Sequence, residues 1–263
     1  MQNRKTIWGK HEGKTNQILQ LACGYSQLNL QYFSGGWAIK TEKLSEKSAT
    51  INLSSLEQAT SLVDANIYQT GRSTNLILQP TLPAKPIVFR TNTKIIIRQH
   101  QSMRLYIKVP LSIQLYYKQT DADHLLTEVD SERLSDTWFG EPDSGTPAFA
   151  GGSLFALQAN DLPTAEYEIL IPLNIQNNST QLLDLQRLLV HVEIMNVYQV
   201  GARLIADTAT IEFKGQGQVG NLQIGTDKTI HGTNPVLVGK ARQASNRTIL
   251  GHSFHFIKQM TQL

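Results

Sequence analysis

Cysteine is nearly absent: Cys23 is the only one in 263 residues. A lone thiol closes no intramolecular disulfide and builds no zinc site of several cysteines. Charge is also sparse, at 17% of residues, and close to balanced at a net +3. With 40% hydrophobic residues, the chain has material for a sizeable core. It matches neither a disordered chain nor a strongly basic or acidic one. No apolar run approaches the roughly twenty residues of a membrane helix. The opening MQNRKTIWGKHEGKTNQILQ lacks the apolar stretch of a secretory signal. The expectation is a cytoplasmic protein without membrane insertion. Its expected organisation is an N-terminal β-rich region, 1–84, and a main β-sandwich, 85–263, with one continuous domain as the alternative.

Helical signals are few as well. Ser54-Ser55-Leu56-Glu57 has the form of a capping box, and Leu56, Ala59, Leu62, Val63 and Ile67 follow at helical spacing. One short helix is expected there. What dominates instead is alternation with period two. From Arg104 to Tyr117, Leu105, Ile107, Val109, Leu111, Ile113, Leu115 and Tyr117 alternate with Arg104, Tyr106, Lys108, Pro110, Ser112, Gln114 and Tyr116. One face should meet a core and the other water. Glu166–Gln176 repeats the pattern, and Leu188–Met195 gives a third stretch. Further strands are expected at Leu28–Tyr32, Gly36–Lys40, Thr50–Leu53, Leu76–Gln79, Ile95–Arg98, Ala209–Phe213 and Phe254–Ile257. The fold class is therefore all-β, a mainly antiparallel β-sandwich with one short helix. Pro110 and Pro172 lie on the polar side of their strands and should mark edges or bulges.

Three blocks carry a family resemblance. They are Arg104–Leu111 (RLYIKVPL), Trp138–Gly145 (WFGEPDSG), and Ile171–Ser179 (IPLNIQNNS) followed by Met195-Asn196-Val197-Tyr198. Together they resemble the domain-of-unknown-function 432 family, uncharacterised archaeal and bacterial proteins, over roughly Pro86 to Phe213. Phe139 stands where that family usually has Tyr. The resemblance implies no activity or site residues, and it favours strand over helix for Gln181–Tyr198.

Charges are segregated along the chain. No acid occurs from Ala65 to Thr120, whereas Asp121, Asp123, Glu128, Asp130, Glu132, Asp136, Glu141 and Asp143 crowd the next segment. Arg104, Tyr106 and Lys108 place an aromatic between cations, a pattern suited to single-stranded nucleic acid. Pairing of basic and acidic strands explains the same layout and is preferred, so nucleic-acid or other polyanion binding through the basic 85–118 strands stands as a second alternative.

The catalytic and cofactor motifs fail on their surroundings. Gly215-Gln216-Gly217-Gln218-Val219-Gly220 matches G-x-G-x-x-G, but a strand-like segment follows it, with no ribose-binding acid beyond Asp227. Asp143-Ser144-Gly145 has no matching histidine motif and reads as a turn. Asp121 and Asp123 begin a calcium-loop pattern that Leu125 and Leu126 break. His191 and Glu193 are placed to pair on a strand surface. His252 and His255 point to opposite strand faces, against a shared metal. Cys23 is expected to be buried. No catalytic residue, metal or cofactor is expected.

The leading reading is a non-catalytic binding or accessory protein with an unidentified protein partner or small ligand. A homodimer through the proline-marked edges is an open option. The alternative is a carbohydrate-active enzyme or small-ligand module at the acidic turn. There Trp138 offers a flat apolar face beside the carboxyls of Glu141 and Asp143. Candidate ligand contacts are thus Trp138, Glu141, Asp143, Arg104, Lys108 and Tyr106.

Overall fold

The computed structural model describes residues 7–57, 62–71, 73–119, 122–215, 221–243 and 248–250. Among these the strands are β1 (Gly9–Glu12), β2 (Gln17–Phe33), β3 (Gly36–Glu57), β4 (Asn66–Gln69), β5 (Asn75–Thr81), β6 (Ile87–Ile97), β7 (Gln101–Pro110), β8 (Ser112–Gln119), β9 (Ala122–Asp130) and β10 (Asp136–Phe139). They continue as β11 (Thr146–Ala150), β12 (Glu168–Asn177), β13 (Leu183–Val190), β14 (Val197–Val200), β15 (Arg203–Ala206), β16 (Thr208–Phe213), β17 (Asn221–Gly225), β18 (Val236–Gly239) and β19 (Thr248–Leu250). One α-helical turn, α1, spans Lys228–His231. The fold is the all-β, mainly antiparallel sandwich with one short helix that the alternation implies.

The helix lies elsewhere than the capping box suggests. Ser54–Glu57 belong to β3, which pairs with β2 from Gln17↔Glu57 to Phe33↔Gly36. Ladder hydrogen bonds along this hairpin override a local capping signal. Of the intended buried stripe, Leu56, Val63 and Ile67 are exposed and Leu62 is only half-buried, and Ala59 lies outside the described residues.

The chain divides into two compact units. The first comprises Met1–Thr81, Pro110–Arg133 and Ala165–Glu168. Its sheets run β1-β5-β8-β9 and β2-β3-β4, and Leu21, Leu28, Trp37, Leu76, Ile113 and Leu115 are among its fully buried side chains. The second comprises Leu82–Val109, Leu134–Thr164 and Ile169–Leu263. It holds a sheet β10-β11-β6-β13 and a larger one ordered β18-β14-β15-β12-β16-β17-β19, with β7 also on β12. Ile107, Ile169, Ile171, Leu173, Ile175 and Leu188 are almost wholly buried in it.

The long alternating stretch is two strands, because Leu111 interrupts it between β7 and β8. Its polar face is not simply solvated. Tyr106 is buried with Ala156, Leu162, Leu170 and Ile205. Ser112 and Gln114 are buried as well, donating to Asp130 (2.6 Å) and Glu128 (2.9 Å) of the neighbouring strand. The expected strand Leu188–Met195 ends at Val190, and Val192–Ile194 form a 3-10 turn.

Pro172 is interior to the large sheet, not at its edge. The strand β12 runs parallel to β15 (Leu170↔Ile205) and then to β16 (Leu173↔Ala209), slipping by one residue between them. Asp207 interrupts the partner strands at this slip, so the proline coincides with a bulge where a ladder donor is dispensable. The parallel pairing here, and that of β11 with β6, departs from the antiparallel rule. The expected strand Phe254–Ile257 lies outside the described residues.

Candidate functional site

A polar hollow of about 400 Å³ opens on the large sheet of the second unit, lined by Asn174, Thr208, Thr210, Gln223, Gly225 and the Thr226–Lys228 turn among others. Strand register explains it. Asn174 on β12 lies opposite Thr210 on β16, and Thr210 lies opposite Gln223 on β17, so three polar side chains form one row across the sheet. Opposite residues of neighbouring strands share a face. One rung along, Thr208 faces Gly225, and a β-carbon on this glycine would meet no atom of the described residues within 4 Å. The missing side chain leaves the space above the row open.

The chain leaving β17 forms the wall. Asp227 caps α1, accepting from the Thr229 amide at 2.8 Å and its hydroxyl at 2.6 Å. Arg104, from β7, donates to the other Asp227 oxygen at 2.7 Å. The Thr229 hydroxyl, then its amide and Arg104, hold the Asp227 carboxyl below its ordinary range. At the other end of the turn, His231 is buried and its Nε2–H donates to the Ala206 carbonyl at 2.8 Å. Tyr198 meets the His231 ring edge-on at 5.3 Å. Burial, reinforced by Asp207, pushes the Tyr198 hydroxyl up to about 12.

The six sequence candidates fall in two places in this unit: Arg104, Tyr106 and Lys108 on β7, and Trp138 with the turn residues Glu141 and Asp143 on or after β10. Arg104 braces Asp227, which lines the hollow, without lining it itself. Lys108 donates to the Pro163 carbonyl at 2.9 Å, and Tyr106 belongs to the core. Trp138 lies on β10, where its indole N–H donates to the Glu141 carbonyl at 2.9 Å. Glu141 therefore closes the turn through its backbone, while its carboxyl and that of Asp143 belong to exposed residues. Beneath the turn, the Arg187 guanidinium lies 5.0 Å from the Phe139 ring and donates to the Trp138 carbonyl.

Much of the charge segregation resolves into pairs within each unit: Lys47–Glu132, Lys85–Asp136, Lys94–Asp184 and Arg104–Asp227. His191 and Glu193 do pair, at 2.7 Å, but largely buried beside the 3-10 turn instead of on an exposed strand surface. Among the described residues, His191 Nε2 and Glu193 Oε2 have no further partner. Cys23 is buried as expected. Gln216–Gly220, Asp121, His252 and His255 lie outside the described residues. Among the described residues, no group of three His, Cys, Asp or Glu could hold a metal. No helix among them is long and apolar enough to cross a membrane.

The model of a family described as a protein of unknown function, DUF432, matches residues 7–258. The chain belongs to this family. The match extends the resemblance seen around Arg104, Trp138 and Ile171 over nearly the whole chain. No curated protein and no solved structure matches it.

Asn174, Thr208, Thr210 and Gln223 were not evident as a set from the sequence. Asn174, Thr210 and Gln223 sit in recognisable strands and Thr208 just before one, yet only the pairing of β12, β16 and β17 brings them together. Gly225 ends the strand-like Asn221–Gly225 segment and is the nearest to a local signal.

Proposed function

We propose that this DUF432 protein is a non-catalytic binding protein that takes a neutral, hydroxyl-rich small molecule in the hollow on its large sheet. The observation that carries the reading is the row Asn174–Thr210–Gln223 beside the open position at Gly225. Amides and hydroxyls both donate and accept, so they suit a ligand whose groups do the same. Arg104 and Asp227 neutralise each other beside the hollow, so Lys228 is the charge its lining leaves to a ligand. The backbone role of Glu141 supports a turn-forming function for Trp138–Asp143 over an acid–base one.

Saturation-transfer NMR with glucose, galactose and mannose tests this reading. At least one sugar should receive transfer from the wild-type protein. Thr210→Val with Gln223→Ala, both away from the buried core, should abolish that transfer while the protein remains folded. Transfer unchanged in the double variant, or absent for all three sugars, overturns it.

A further inference from the structure

Among the described residues of the second unit, two cations with no carboxylate beside them face each other across a ladder. Arg90 on β6 and Arg187 on β13 are directly opposite each other across an antiparallel ladder. Like charges in that position oppose strand pairing. Burial, and then the charge of Arg90, lower the proton affinity of Arg187, so the two cations sense each other. Among the described residues, no carboxylate lies within ion-pair distance of either. Lys85 and Lys94, on or beside the same strand, each have an aspartate.

Arg187 is also held in place. Its guanidinium packs over Phe139, and one terminal nitrogen donates to the Trp138 carbonyl. Its Nε is buried, with no acceptor among the described residues. A cation fixed by an aromatic ring and a carbonyl loses little freedom when it takes an anion. Arg90 is exposed and free to close on the same anion from the facing strand.

We infer that Arg90 and Arg187 form an anion site for the phosphate group of a small molecule, separate from the polar hollow. The exposed Arg90 fork, with the Arg187 terminal nitrogen that the Trp138 carbonyl does not take, matches a dianionic group with several oxygens in both charge and geometry. A monocarboxylate would neutralise only one of the two cations. Binding would convert cross-strand repulsion into a shared contact, so phosphate should also stabilise the fold.

Titration calorimetry of the full chain with inorganic phosphate, at constant ionic strength, tests the site. The wild type should bind at a single saturable site, and phosphate should raise its melting temperature. Arg90→Gln, an exposed change that leaves the core untouched, should weaken binding roughly tenfold or more, the loss of a charge-assisted contact. Arg90→Lys should recover only part, because an ammonium cannot supply the fork. Arg104→Gln, beside the hollow, should leave phosphate binding unchanged. Absence of saturable binding, or equal stabilisation of wild type and Arg90→Gln, overturns the proposal. So does Arg90-dependent binding of a single-stranded oligothymidine without binding of inorganic phosphate. The sugar experiment is independent, so either site can fail alone.

Discussion

The carbonyl of Ser131 occupies the space that a β-carbon on Gly24 would need, and it accepts the Tyr25 amide at 2.7 Å. Gly24 has φ +59° and sits where the pairing of β2 with β3 shifts register on either side. The strand bends there, and the segment after β9 packs into the bend. Both the left-handed backbone and the close approach require glycine.

Gly24→Ala should therefore cost much more than the same change at Gly201, which has φ +61° and open space around it. The left-handed penalty alone is about 1–2 kcal/mol. The overlap with Ser131 should add at least about 2 kcal/mol at Gly24. Urea denaturation of the two variants measures the difference. Equal losses would mean that Ser131 yields freely.

Asp227 links stability to pH. Its folded carboxyl lies below its ordinary value, with the Thr229 hydroxyl as the largest cause. The interaction thus contributes fully above about pH 4, the unfolded value, and is lost as pH falls through the lower folded one. Asp227→Asn keeps a capping oxygen but removes the titration. Wild type should melt above this variant at neutral pH, and the gap should close in acid. A gap constant from pH 7 to pH 2 would show that the Arg104 contact is not linked to stability.

The strands were legible because burial imposes a period of two, and Leu105, Ile107, Ile169 and Ile171 obey it. The other face was read less well. Tyr106 is buried because chain around Ala156 and Leu162 covers that side of β7, and no local pattern states that a second layer is present. The false helix at Ser54 has the same origin, since a capping box is short-range and the β2–β3 ladder is not. The hollow was illegible for a stronger reason. Asn174, Thr210 and Gln223 meet only after three strands have chosen neighbours and register.

Cys23 should be chemically silent in the folded protein. Burial, with the Glu166 carboxylate adding to it, pushes the thiol up to about 12. At pH 8 only about one molecule in ten thousand would carry the thiolate that reacts. Iodoacetamide should leave the native protein unlabelled over hours and modify one thiol per chain in denaturant. Rapid native labelling would mean that the first unit opens locally around β2.

The acidic turn gives the last contrast. If Trp138–Asp143 is a structural turn, its stability depends on the indole N–H and the Glu141 carbonyl, joined at 2.9 Å, and not on the carboxyls. Gly145 packs against the same indole nitrogen and the same carbonyl, leaving no room for a β-carbon. Trp138→Phe keeps an aromatic ring but deletes the donor, and should cost about 1 kcal/mol. Glu141→Gln and Asp143→Asn change exposed carboxyls and should each stay within about 0.5 kcal/mol of wild type. Thermal melts of the three variants separate the two roles. A neutral Trp138→Phe beside a strongly altered Glu141→Gln would return the carboxylates to consideration as working groups, because charge would then matter where the backbone bond did not.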